Sequence, residues 1–382
     1  METKIFGGVP VNLFLPEWDL ESGALEQIIA TSQHPHVIGK VAVMPDAHQG
    51  YGVSIGTVFS TEGVIVPNAV GVDIGCGVTF VNTGVNFFDL DADFFREYES
   101  KIRSKIPVGF SWHKDVEGEH PLDEAVLRKY ARHPDRVALQ FGTLGGGNHF
   151  LELLRDSVDR IWIAVHSGSR GFGHNVAEYF QKIAVEENAG GSKNLESLSL
   201  RSGAGTDYLF AMNQATLYAS ASRHWMIQTM RETLWGLVGR GEDALSPWDV
   251  PHNYAIKRYG SVVTHRKGAI DASFDKIGII PGSMGSPTYF VVGRGNPESL
   301  QSASHGAGRV MSRSKAKVNV SLEEFQAALS DTYSTASVHT LDESPQAYKD
   351  IDTVIERQRD LVTVVEKLHP VLTVKGGGRD EG

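Results

Sequence analysis

Apolar and polar positions along this chain follow two rhythms that replace one another several times. From Val41 to Thr83, short apolar runs (VAVMP, GVSIGTVFS, GVIVP, GVTFVN) are cut by Gly, Pro and Asp, which predicts successive strands. Over Asp89–Ile106 and Pro121–His133, charged residues interleave with apolar ones at helical spacing and predict two amphipathic helices. Gln140–Leu154 and Ile161–Val165 return to strand character, whereas Gly173–Glu187 and Ala204–Leu237 read as helical, the latter as a helix pair. Strand-like VVTH, IGII and YFVV follow. Ser299–Ser312 reads as a helix opened by a Ser-rich turn, Leu322–Leu329 and Pro345–Leu368 as closing helices, and VLTVK as a last strand. No repeat or linker interrupts this series, and 376–382 reads as a flexible tail. The expectation is a single large α/β (α+β) domain over residues 1–382, with interleaved sheets and surrounding helices.

Composition narrows the class of protein. No basic segment followed by an apolar stretch opens the chain, and no apolar run approaches the ~18 residues that would span a bilayer. The single cysteine, Cys76, excludes an intramolecular disulfide framework. A soluble, cytoplasmic protein is expected. The net charge of −10 argues against a non-specific nucleic-acid coat, although Lys and Arg concentrate in Tyr254–Lys267 and Arg294–Lys317.

The first concentrated chemistry is GVDIGCGV, where Asp73 and Cys76 offer a hard carboxylate and a soft thiolate from one glycine-rich turn. A lone cysteine is commonly an inert core residue, but a thiolate can also bridge two metal ions. Three histidines shift the balance: His149 in GTLGGGNHF, His166 in AVHSGSRGFGH and His252 in VPHNYA, each at a strand-like run and beside Gly, Ser or Asn. With Asp73 and Cys76 they suggest a catalytic metal site, and mixed O, N and S donors suit manganese, iron or zinc. GTLGGGNHF, IIPGSMGS and SASHGAGR could cradle phosphates, though none matches a P-loop or a strand-linked GxGxxG. In the last of these, His305 is read at a helix start as a candidate nucleophile for phosphorus, with Arg309 available to balance charge.

MPDAHQGYGVSIGTVF, GVDIGCGV, GTLGGGNHFLEL, VHSGSRGFG, HNYA, THRKGAI, IIPGSMGS and SHGAGR, followed by LTVKG, resemble the RtcB family of RNA-splicing ligases in content and order. The resemblance implies an RtcB-like fold and two Mn2+ ions held by Asp73, Cys76, His149, His166 and His252, with Cys76 bridging. It implies that His305 takes GMP from GTP, with Asp46 orienting it. GTP would be held by Asn148, His149, Phe150, Leu151 and Glu152, by His252 and Asn253, and by the turn Pro281, Gly282, Ser283 and Met284. His305, Gly306, Ala307 and Gly308, with Tyr348 and Lys375, would complete that site. The implied substrates are RNA ends carrying a 2′,3′-cyclic phosphate or 3′-phosphate and a 5′-hydroxyl, in tRNA splicing or RNA repair. The chain departs from the family pattern at Ser286-Pro287-Thr288 and in its extension beyond Lys375. The alternative is a metal-dependent cyclic phosphodiesterase or phosphohydrolase without ligation, which needs neither a histidine nucleophile nor the terminal lysine.

Overall fold

The structure is a computed structural model, and it describes residues 1–187, 192–239 and 245–376. In chain order the first elements are β1 (Glu2–Lys4), β2 (Val11–Leu13), α1 (Ser22–Ser32), β3 (Val37–His48), β4 (Ile55–Glu62), β5 (Val64–Ile65) and β6 (Gly77–Asn86). Next come α2 (Ala92–Lys105), α3 (Glu124–Tyr130), α4 (Pro134–Gln140), β7 (Phe150–Arg155), β8 (Arg160–Ser167), α5 (Arg170–Glu187), β9 (Leu198–Ser199) and α6 (Gly203–Val238). A run of strands follows: β10 (Trp248–Pro251), β11 (Asn253–Lys257), β12 (Val262–Lys267), β13 (Ala269–Asp271), β14 (Ile277–Ile280), β15 (Thr288–Gly293) and β16 (Ser302–Ser304). The chain closes with α7 (Arg313–Asn319), α8 (Leu322–Ala328), α9 (Ile351–Glu356) and β17 (Val362–Val374).

Two large sheets result, ordered β1-β2-β3-β4-β12-β11 and β10-β6-β8-β7-β17-β15-β14. Alternation along the strands decides what each face meets. Trp162, Ala164 and His166 of β8 point to one side, and Ile161, Ile163 and Val165 to the other. The first side packs against Ala42, Met44 and Val58 of the six-stranded sheet, so one core lies between the sheets. The second side packs against α2 and α6 through Phe95, Tyr98, Met226 and Met230. α1 covers the far face of the six-stranded sheet with Ile28. β10 belongs to one sheet and β11 to the other, and His252 is the single residue between them. Among the described residues no helix is long and apolar enough to cross a membrane.

The mixed fold with interleaved sheets agrees with the pattern, but three elements differ from expectation. Ser299–Ser312 contains no α-helix: Ser302–Ser304 pairs antiparallel with Ala269–Asp271, and the chain then turns tightly through Gly308. Gly308 has φ +73°, and a Cβ there would come within 2.1 Å of the Asp46 carbonyl oxygen. The glycines therefore serve close approach to the segment carrying Asp46 and do not open a helix. Pro345–Leu368 holds a 3₁₀ turn and the short α9 before it becomes the 13-residue β17, whose β-branched run VTVV favours a strand. Ala204–Leu237 forms one 36-residue helix and not a pair. Its small residues near the middle leave room for the loop at Gly75, where a Cβ would lie 2.6 Å from the Thr216 Cα. Residues 377–382 of the expected tail lie outside the described residues.

A candidate active site where the two sheets meet

Four of the five predicted metal ligands gather at one end of the seven-stranded sheet. Cys76 immediately precedes β6 and His149 precedes β7, while His166 ends β8 opposite Val78 and Phe150, and His252 follows β10. Asp73 joins them from the turn before Cys76, whose backbone N–H donates to the Asp73 carbonyl. The Cys76 Sγ lies 3.2 Å from His166 Nε2 and 3.5 Å from His149 Nε2. His166 Nε2 is 3.3 Å from His252 Nε2, and His149 Nε2 is 3.0 Å from Asp73 Oδ2. Two sets of three ligand atoms, Cys76–His166–His252 and Asp73–Cys76–His149, lie within 4.8 Å, and Cys76 belongs to both.

Proton placement explains what this cluster is suited to hold. His149 Nδ1 faces the Leu144 carbonyl and His166 Nδ1 faces the Asn148 carbonyl, so each Nδ1 carries the proton and donates. Their Nε2 atoms then point inward as lone pairs, toward sulfur, carboxylate and each other. Burial, followed by the charges of neighbouring histidines, holds His166 and His252 well below the ordinary imidazole range. His252 Nδ1 is buried without a hydrogen-bond partner. Converging lone pairs and an unsatisfied buried imidazole fit a cation, and second partners that fix the tautomer are the usual support of histidine ligands.

Beside this cluster lies a cavity of about 330 Å³. Asn148, Phe150 and Glu152 line one side, and the turn Pro281–Met284 lines another. His305, Gly306, Ala307 and Gly308 close it with Tyr348 and Lys375. Thr288 also lines it, as do His48, Arg309 and Arg313. Leu151 does not reach it: the residue alternates away from Phe150 and Glu152 and is buried in the core under α2 and α6. Asn253 lines an adjoining space with Cys76, His252 and His305. Its amide ties Asp73 to the next strand, donating to the Asp73 carbonyl and accepting from the Gly268 N–H.

His305 differs from the ligand histidines in its second partner. Its Nδ1 lies 2.7 Å from Asp46 Oδ2, which also accepts its backbone N–H at 3.1 Å. Burial pushes the Asp46 carboxyl up, but the bond and charge of His305, then His48 and Lys349, outweigh it and leave it below the usual range. An Nδ1–H held by a carboxylate leaves Nε2 as the nucleophilic nitrogen. The His305 ring lies 4.7 Å from that of His252, centroid to centroid, so the candidate nucleophile and the candidate ligand cluster adjoin.

Several contributors escaped the sequence reading. Lys349 donates from Nζ to the carbonyls of Pro45 and Ala47, clamping the backbone on both sides of Asp46. His48 donates from Nδ1 to the Asp46 carbonyl, and burial lowers it to about 4. Glu343 is a buried hub, accepting from Arg313 at 2.6 Å and Tyr348 at 2.7 Å and pairing with Arg309 and Lys375. Arg309, expected as a free counter-charge, also donates to the Asp342 carbonyl and lies over the Tyr348 ring. Lys267 is buried and donates to the Tyr51 and Asn68 carbonyls, and burial lowers it to about 7. Lys349, Glu343 and Arg313 lie outside the glycine-rich segments, whereas His48, Lys267 and Arg309 sit in DAHQG, THRKG and SHGAGR.

A family model described as tRNA-splicing ligase RtcB matches residues 27–133 and 112–376. The chain is 37% identical over 401 residues to the RNA-splicing ligase RtcB of Escherichia coli K12, covering 96% of this chain and 97% of that protein. The RNA-splicing ligase RtcB1 of another E. coli strain matches at the same identity and coverage. The tRNA-splicing ligase RtcB of Archaeoglobus fulgidus is 30% identical over 446 residues, with 94% and 92% of the two chains covered. Matches of this extent on both sides, with the ligand cluster and the His305 cavity brought together in one fold, place the chain in the RtcB family.

Proposed function

We propose that this protein is an RNA ligase that joins a 2′,3′-cyclic phosphate or 3′-phosphate end to a 5′-hydroxyl end, using GTP. The observation that carries this reading is His305: oriented by buried Asp46, set beside His252, and facing a cavity walled by Arg309, Arg313 and Lys375. A carboxylate-oriented imidazole next to a cation site and a cationic wall suits attack on a phosphate. Water-driven hydrolysis alone requires no such nucleophile.

Asp73, Cys76, His149, His166 and His252 would hold divalent metal, manganese in this reading, Cys76 belonging to both sets of ligand atoms. When bound, such ions neutralise charge on crowded phosphates and act as Lewis acids. His305 Nε2 attacks the α-phosphorus of GTP: an N–P bond forms, the bond to the bridging oxygen breaks, and pyrophosphate leaves. Asp46 holds the Nδ1 proton throughout and steadies the charged imidazole. A 3′-phosphate oxygen of RNA, made where necessary by hydrolysis of the cyclic phosphate, then takes the GMP and frees His305. The 5′-hydroxyl oxygen attacks the activated 3′-phosphorus, loses its proton, and expels GMP. Asn148, Phe150, Glu152, Pro281–Met284, Gly306–Gly308, Tyr348 and Lys375 would hold the nucleotide, with His149, Leu151, His252 and Asn253 supporting it from behind the cavity wall. tRNA halves and nuclease-cut RNAs share these ends, so both fit.

The test is ligation of two RNAs, the first labelled in its 3′-terminal phosphate, with GTP and manganese. A product that retains the label in a phosphatase-resistant linkage is expected. Joining of 5′-phosphate to 3′-hydroxyl ends, or cyclic-phosphate opening without any GTP-dependent product, would overturn the reading.

A further inference from the structure

Arg223 stands midway along α6 with its side chain fully buried, on a face whose neighbouring buried positions are Ala219, Ser222, Met226 and Met230. Removing a guanidinium from water costs several kcal/mol unless its donors are satisfied. Its partners here are specific. Nε and Nη2 form a bidentate pair with the two carboxylate oxygens of Asp249, at 2.8 and 3.0 Å. Nη1 donates to the carbonyls of Gly75, at 2.8 Å, and Ser167, at 2.7 Å.

The carbonyls give the arrangement its meaning. Gly75 immediately precedes Cys76, and Ser167 immediately follows His166. Asp249 lies on β10 three residues before His252, and β10 is registered on β6 with Val250 opposite Val78 and Pro251 opposite Gly77. One planar group therefore touches the three segments that carry Cys76, His166 and His252. Gly77 allows them to close: a Cβ there would lie 2.6 Å from the Val250 carbonyl oxygen and 3.1 Å from Arg223 Nη2. The two carbonyl bonds satisfy the Nη1 protons that Asp249 does not reach, and both go to backbone directly beside ligands.

We propose that Arg223 is a positioning residue that sets the spacing of Cys76, His166 and His252 and so the affinity of the cluster for divalent metal. The inference rests on the metal-site reading above. Fixing ligands through neighbouring groups changes metal affinity by about 10–100-fold in comparable arrangements.

The experiment is calorimetric titration of the full-length, metal-stripped protein with Mn2+, beside its thermal melting curve. Arg223→Lys keeps the charge, but its single nitrogen cannot grip Asp249 with two parallel bonds and both carbonyls. The double variant Arg223→Met with Asp249→Leu removes the pair without leaving a buried charge, a replacement that proteins often tolerate. Leu234→Ala, on the same helix but in the core away from the ligands, controls for lost stability. We expect the folded Arg223 variants to bind Mn2+ about 10–100-fold more weakly, and Leu234→Ala to bind within twofold of wild type (an expectation of roughly no change). Wild-type-like affinity in either folded Arg223 variant overturns the inference while leaving the metal site intact. Failure of the wild-type protein itself to bind Mn2+ overturns the metal reading, and this inference with it.

Discussion

The ligand cluster and the His305 cavity are built from the same side chain put to opposite uses. His149 and His166 give their Nδ1 protons to backbone carbonyls, Leu144 and Asn148, and turn their Nε2 atoms toward a thiol and a carboxylate. His305 gives its Nδ1 proton to a buried carboxylate and faces a wall that includes Arg309, Arg313 and Lys375. A neutral carbonyl partner fixes a lone pair without adding charge, which suits a cation ligand. A carboxylate partner also stabilises the imidazolium-like charge that develops when the ring attacks phosphorus. For His149, His166 and His305, the group behind the ring thus separates the two proposed roles.

Breaking the nucleophilic side should produce the largest effect. His305→Ala is expected to lower RNA joining by more than about 10⁴-fold, because in the proposed mechanism it alone carries the nucleotide; rates of ligation under saturating GTP measure this. Asp46→Asn should cost about 10²–10⁴-fold, the scale of losing an orienting carboxylate, while GTP binding to the folded variant persists. If Asp46→Asn ligated normally, the distinction drawn from the second partners would fail.

On the cation side, Cys76→Ser should weaken Mn2+ binding by more than about 100-fold, since the thiolate serves both sets of ligands. Wild-type protein should also melt higher when manganese is added, by about 2.7 kcal/mol of stabilisation at 100 times the dissociation constant. Equal melting shifts in wild type and Cys76→Ser would make the cysteine an inert core residue.

Glu152 gives the smallest and most graded effect. Burial raises its carboxyl to about 7, against the hydrogen bond from Thr373 and the charge of Lys375. With the folded value above the unfolded one, its contribution to stability is full below about pH 4.5 and is lost as pH rises through about 7. Glu152→Gln should therefore gain on wild type by no more than about 3 kcal/mol between pH 5 and 8, read from paired unfolding curves. A pH-independent difference would contradict the burial argument.

The two regions were unequally legible in the sequence. The ligand cluster could be read because each member sits at a strand end among Gly, Ser or Asn, and the strand pattern that brings them together is itself visible as period-two alternation in IWIAVHS. His305 was legible as chemistry but not as local structure, since SASHGAGR has the composition of a helix start and forms a strand followed by a tight turn against Asp46. Arg223, Glu343 and Lys349 were not legible. Each lies in a helix or turn of ordinary polarity, and its importance comes mostly from partners 26 to 304 residues away, from Arg223 and Asp249 to Lys349 and Pro45. Long-range burial of charge leaves no local signature. The single long α6 was missed for a related reason: its small residues serve packing against the Gly75 loop, and in sequence they resemble a break.

The central claim is that His305, and no other residue, carries the nucleotide. Its most direct test is incubation of the protein with manganese and GTP labelled at either the α or the γ phosphate, followed by denaturing electrophoresis. The account predicts a covalent adduct from α-labelled GTP only, labile to acid, and absent from His305→Ala. Label transferred from the γ phosphate, or undiminished α-labelling of His305→Ala, would contradict it.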